Sequence, residues 1–135
     1  MRTIILLGAL LLSYNIHSQS NSETEKAKYA NDIFTEVPTM PLFIDAETAE
    51  ETDSKLYNYF KEKAHEANPT SKGTVYIRFN INTAGKAEKI KILKGENDEL
   101  NELAKQFVSE MPTWKPGKLK GQKVTVQYTR AVIFK

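Results

Sequence analysis

The stretch MPTWKPGKLKGQKV, Met111–Val124, decides how this chain is read. It holds the single tryptophan, Trp114, between Pro112 and Pro116, and then Gly117, Gly121 and four lysines. Proline fixes φ and withdraws a backbone donor, while glycine opens conformations closed to other residues, so regular structure is broken repeatedly here. Immediately before it, Leu100, Leu103, Ala104, Phe107, Val108 and Met111 draw one apolar stripe of a helix. Asn97 or Asp98 caps that helix, Glu99 and Glu102 suit its positive end, and Pro112 closes it. Immediately after it, Val124, Val126, Tyr128, Val132 and Phe134 alternate as a final strand, with Arg130 at an in-phase position.

Working back along the chain, Gly73 opens another alternating strand. Val75, Ile77, Phe79 and Ile81 share one face, and Tyr76, Arg78, Asn80 and Asn82 the other, as in a sheet covered on one side. Thr83-Ala84-Gly85-Lys86 reads as a hairpin turn. The return strand carries Ile90, Ile92 and Leu93, with Ala87 out of phase, which predicts a bulge near Glu88. A first helix is predicted over about 54–67, capped by Thr52 or Asp53 and stopped by Asn68-Pro69. EVPTMPLF, Glu36–Phe43, is predicted as an extended segment laid against the domain, and acidic Asp45–Asp53 as a solvated loop or helix entry. The expected fold is therefore α+β: two helices with a three-stranded antiparallel sheet in the order second, first, third (2-1-3). In that order the last strand is an open edge.

At the N-terminus, Arg2 followed by the apolar run Ile4–Leu12 and a polar stretch matches a secretory signal peptide, with cleavage expected near Ser18. Residues 1–18 are thus read as a leader, 19–35 as a polar arm and 36–135 as the domain. Removing the leader costs only the charge of Arg2 from a formal net of +2, so no global field favours nucleic acid or an anionic membrane. Cysteine is absent, which excludes disulfides and thiolate metal sites. His65 is the only histidine beyond the leader and reads as a surface residue; Ser109 and Glu110 have no evident catalytic partners, and no nucleophile elbow or phosphate loop occurs. No enzyme activity and no cofactor is expected.

GTVYIRFNINTAGKAEKIKILKG, the helix leading into MPTWKPGKLKGQKV, and VQYTRAVIF together resemble the C-terminal domain of the energy transducer TonB, over about Glu36 to Lys135. The resemblance implies a periplasmic module that uses its last strand as a template for an extended peptide of an outer-membrane receptor or another envelope protein. An unpaired edge offers the necessary N–H and C=O groups. By position, the implied recognition strand is Val124, Thr125, Val126, Gln127, Tyr128, Thr129, Arg130, Ala131 and Val132. Pro112, Trp114, Pro116, Gly117 and Gly121 would be structural, with Trp114 pinning the crossing from helix to strand. A homodimer through the same edge is the alternative partner, and an uncleaved N-terminal segment would instead make a minimal membrane-tethered transducer. Protein recovered from its native envelope is expected to begin near Gln19. Intact mass spectrometry checks this, and a mass of 15.3 kDa would mean the leader is retained.

Overall fold

In the computed structural model, which describes residues 28–135, helix α1 (Ala49–Ala67) starts earlier than its apolar spacing suggests. Its cap is Thr48, not Thr52 or Asp53. The Glu51 N–H donates to Thr48 Oγ1 (3.1 Å), and the Glu51 carboxylate accepts from the Glu47 N–H (2.8 Å). Such a reciprocal cap satisfies donors that a helix start otherwise leaves unpaired. Thr52 is buried instead, accepting the Phe43 N–H on its hydroxyl (3.2 Å). The acidic stretch is thus largely helix entry. At the far end Asn68 adopts a left-handed conformation (φ 43°), its N–H reaches Ala64 O, and Pro69 bars continuation.

Two strands of the expected sheet follow, β2 (Gly73–Ile81) and β3 (Ala87–Lys94), joined antiparallel through a turn at Gly85. The register slips between Arg78 and Asn80, where Lys89 has φ 52°, so the bulge sits beside Glu88 as its out-of-phase Ala87 implied. Helix α2 (Asp98–Ser109) is capped by Asn97, whose side chain accepts the Leu100 N–H. The last strand, β5 (Gln122–Phe134), pairs antiparallel with β2 from Val126 to Phe134.

The order β3-β2-β5 is the expected antiparallel core, but the sheet is larger and mixed. Strand β1 (Ile33–Phe34) lies parallel against Thr125 and Val126, and β4 (Gly117–Leu119) forms a hairpin with the start of β5. Both escaped the sequence for a physical reason: strands of two and three residues are too short to show a period. Ile33 and Phe34 also fall inside the stretch read as a polar arm. Within the supposed loop, Lys120 (φ 50°) and Gly121 (φ 76°) make the two-residue turn that β4 needs. The leader expected over 1–18, and most of the arm, lie outside the described residues. The chain divides into two units, Met1–Asp32 and Ile33–Lys135, and all of these helices and strands belong to the second.

Both helices cover one sheet face, α1 over β5 and α2 over β2 and β3. The core between them contains Phe43, Leu56, Val75, Ile77, Phe79, Leu100, Val108 and Val132, all buried. On the other face Tyr76 is exposed, whereas Asn80 is only 3 % exposed, flanked in register by Gln127 and Glu88. Tyr59 ties the helices together by donating to Phe107 O (2.6 Å).

The proline-bounded crossing is fixed from three sides. Trp114, 2 % exposed, lies 5.1 Å from the Phe43 ring and 5.2 Å from that of Tyr128. Its backbone N–H donates to Gly85 O (2.8 Å), and a Cβ at Gly85 (φ 78°) would run into the Trp114 carbonyl oxygen, so both conformation and space demand glycine. EVPTMPLF lies against the domain as expected, with Leu42 exchanging backbone bonds with Lys115, and Thr39 with Lys118.

Glu99, in the first turn of α2, accepts from Thr70 Oγ1, the Ser71 N–H and Ser71 Oγ, the last at 2.7 Å. The Ser71 bonds, helped by Thr70, hold its carboxyl below the ordinary value. A lowered folded pKa stabilises at pH above the unfolded value and is lost as pH falls through the folded one. Glu99→Gln is therefore expected to be less stable than the parent at neutral pH, and the gap should close in acid; urea melts across pH 3 to 7 read it.

Candidate functional site

The hydrogen-bonding direction of β5 follows from the hairpin before it. The Asn82 N–H donates to Lys86 O (2.9 Å), so Asn82 faces β3 and the next residue back, Ile81, faces β5. Directions alternate along an antiparallel strand, so Ile81, Phe79, Ile77, Val75 and Gly73 exchange bonds with Val126, Tyr128, Arg130, Val132 and Phe134. The intervening Gln127, Thr129, Ala131 and Ile133 then turn their N–H and C=O groups outward. The two-residue turn at Lys120-Gly121 gives the same parity: it makes Leu119 and Gln122 a mutual pair, so even-numbered residues face β4. Hence β4 and β2 share one edge of β5, and β1 lies on the other.

That outer edge is not open along its whole length, which corrects the expectation of an unpaired last strand. Of the implied recognition residues, Thr125 and Val126 pair with β1 on this edge, while Val124 pairs with Gly117 of β4 on the other. Because Val126 faces β2, its parallel pairing with Phe34 takes up the Gln127 N–H, and from the Gln127 carbonyl to Phe134 no strand covers the outer edge among the described residues. The side chains of Tyr128 and Val132 are buried under α1, while Thr129 is exposed. Among the residues expected to be structural, Pro112 is exposed, Pro116 half-buried and Trp114 fully enclosed. Gly117 is buried where a Cβ would press on Val126 and Pro41, and Gly121 takes the positive φ of the β4–β5 turn.

Arg130 explains its own in-phase position. One guanidinium nitrogen donates to Asp53 of α1 (2.8 Å), the other to Thr129 O (2.9 Å), and the group lies 4.9 Å from the Tyr128 ring centre. The charge thus leaves the core sideways and fastens α1 to β5. Burial pushes the Tyr128 hydroxyl up to about 12, with Arg130 opposing and Asp53 adding.

Beyond Arg130, a groove of about 680 Å³ opens between α1 and the bare edge. Phe60 and Ala64 form its helix wall with Tyr57 and Lys61, and Ala131, Ile133 and Phe134 form its strand wall. Its volume lies within the range of about 300–1,000 Å³ common to ligand sites. The sequence reading missed this groove and placed no α1 residue in the site. The available signal was Tyr57, an aromatic outside the stripe that α1 buries and half exposed here. His65 borders the groove on the surface. Ser109 and Glu110 take structural bonds, to Gln106 O and to Lys63.

The model of the family described as Gram-negative bacterial TonB protein C-terminal matches residues 62–135. The chain belongs to the TonB C-terminal domain family. Among solved structures it is similar to the NMR solution structure of Helicobacter pylori TonB-CTD (residues 179-285), at 20% identity over 67% of this chain and 98% of that one, with a TM-score of 0.34. No curated protein matches. TonB C-terminal domains are non-enzymatic envelope domains, and membership points to a TonB-like role in receptor interaction and transport. No helix among the described residues of this TonB-type domain is long and apolar enough to cross a membrane.

The derived parity is directly measurable. In hydrogen-exchange NMR, the amides of Thr129, Ala131 and Ile133 are expected to exchange fast while those of Tyr128, Arg130 and Val132 are protected; uniform protection along β5 would contradict it.

Proposed function

We propose that this chain is an exported, TonB-like binding module that pairs an extended segment of an outer-membrane receptor, or of another envelope protein, with the edge of β5 from Gln127 to Ile133. The observation that carries this reading is an uncovered strand edge lying directly beside a groove. Backbone groups spaced for a ladder give affinity to any extended chain, and the groove beside them gives its side chains somewhere to go. The site needs no cofactor for this, and its chemistry is pairing rather than bond-making. A leader over 1–18 would deliver the domain across the inner membrane, and family membership is consistent with a periplasmic address.

The offered edge is shorter than the implied strand Val124–Val132, because β1 holds its start at Thr125 and Val126. At about 3.3 Å per residue the bare part spans roughly 25 Å, enough for a short peptide. Titrating the labelled protein with peptides from the periplasm-facing ends of receptors is expected to shift and protect the outward amides of Thr129, Ala131 and Ile133, in proportion to peptide. Shifts that follow only the protein's own concentration would replace this reading with a homodimer through the same edge.

A further inference from the structure

The groove also selects. Residues of a helix turn about 100° per step, so Asp53, Tyr57, Lys61 and Ala64 form one stripe, and the Asp53–Arg130 ion pair fixes that stripe towards β5. Lys61 is therefore the charged side chain that α1 presents to the groove beyond the ion pair. Glu62 and Glu66 also border the hollow, but they stand roughly 100° and 140° further round the helix, turned away from β5. Lys72, in the loop after α1, and Lys135, beyond the end of β5, add two more cations at the lower end. Among the described residues none of these three lysines forms an ion pair, whereas Lys63, Lys105 and Arg130 do.

Between the lysines the floor is apolar, made by Phe60, Ala64 and Phe134, and Ala64 leaves room where a larger residue would fill it. A strand laid on β5 would send alternate side chains to the helix side, opposite Val132 and Phe134, and the others past Ala131 and the exposed Ile133. Asp53 and Arg130, whose charges already satisfy each other, lie outside this lining.

Resting on the edge-pairing reading above, we propose that the preferred guest is an extended peptide with apolar side chains over Phe60 and Ala64 and with carboxylates at the end that lies beside Phe134, where Lys61, Lys72 and Lys135 converge. The lysines then set polarity as well as affinity, because a guest laid the other way round takes its carboxylates away from all three.

The test uses synthetic peptides that share one alternating Val–Thr core and end in Asp-Asp, Asn-Asn or Lys-Lys, with the full domain as receptor. Binding is read by fluorescence anisotropy and by the outward amides of β5. The Asp-Asp peptide should bind about fivefold more tightly than Asn-Asn at low salt, and Lys-Lys more weakly still. Lys61→Glu combined with Lys72→Glu, both exposed and outside the core, should erase that ranking while amide shifts persist; Ala64→Met should weaken all peptides alike. If the peptides bind equally and shift the same amides, the charge preference is wrong and edge pairing stands. If none shifts those amides, edge pairing fails and the preference with it.

Discussion

Nine consecutive residue pairs join β2 to β5, and their register decides which backbone groups the domain offers outward. With Ile81 opposite Val126, each even-numbered residue of this ladder is consumed internally and each odd one turns outward. A slip of one residue would exchange the two sets and also turn Val126, Tyr128 and Val132 out of the core. The buried aliphatic face of β2 therefore fixes the outer edge as firmly as it fixes the inner face. Trp114 reinforces this from the open end of the sheet: seated against Tyr128 and Phe43 and bonded to Gly85, it couples the β2–β3 turn to the entry of β5.

Elements with several periods were legible in the sequence, and the short ones were not. The stripe of α2, the alternation of β2 and β5, the bulge beside Glu88 and the stop at Asn68-Pro69 each rest on residues whose local chemistry leaves little choice. The start of α1 was misplaced because Thr52 has the look of a cap, while its hydroxyl serves Phe43 from inside the core. Strands β1 and β4 exist by virtue of β5: two or three residues cannot hold a strand unless a longer neighbour supplies the ladder. The groove was illegible for a related reason. It lies between elements distant in sequence, α1 and the end of β5, and only tertiary packing brings Lys61 and Phe134 to one hollow.

Charge follows the same division between local and tertiary causes. Glu99 is exposed and yet held well by the Thr70-Ser71 turn, which joins the loop after α1 to the start of α2. Arg130 reads in sequence as a defect in an apolar alternation and in the fold as a fastening between helix and strand. The lysines of Met111–Val124 serve the fold through their backbone: Lys115 and Lys118 pair with Leu42 and Thr39, and Lys120 makes a turn.

The guanidinium of Arg130 has a consequence for crowding. A naked strand border invites copies to stack into fibres, and a net charge of only +2 gives weak long-range repulsion between molecules. Two copies meeting border to border, antiparallel, would bring two Arg130–Asp53 pairs close together, each already neutral within its own copy. A guanidinium already spent on Asp53 therefore adds little repulsion between copies at high concentration.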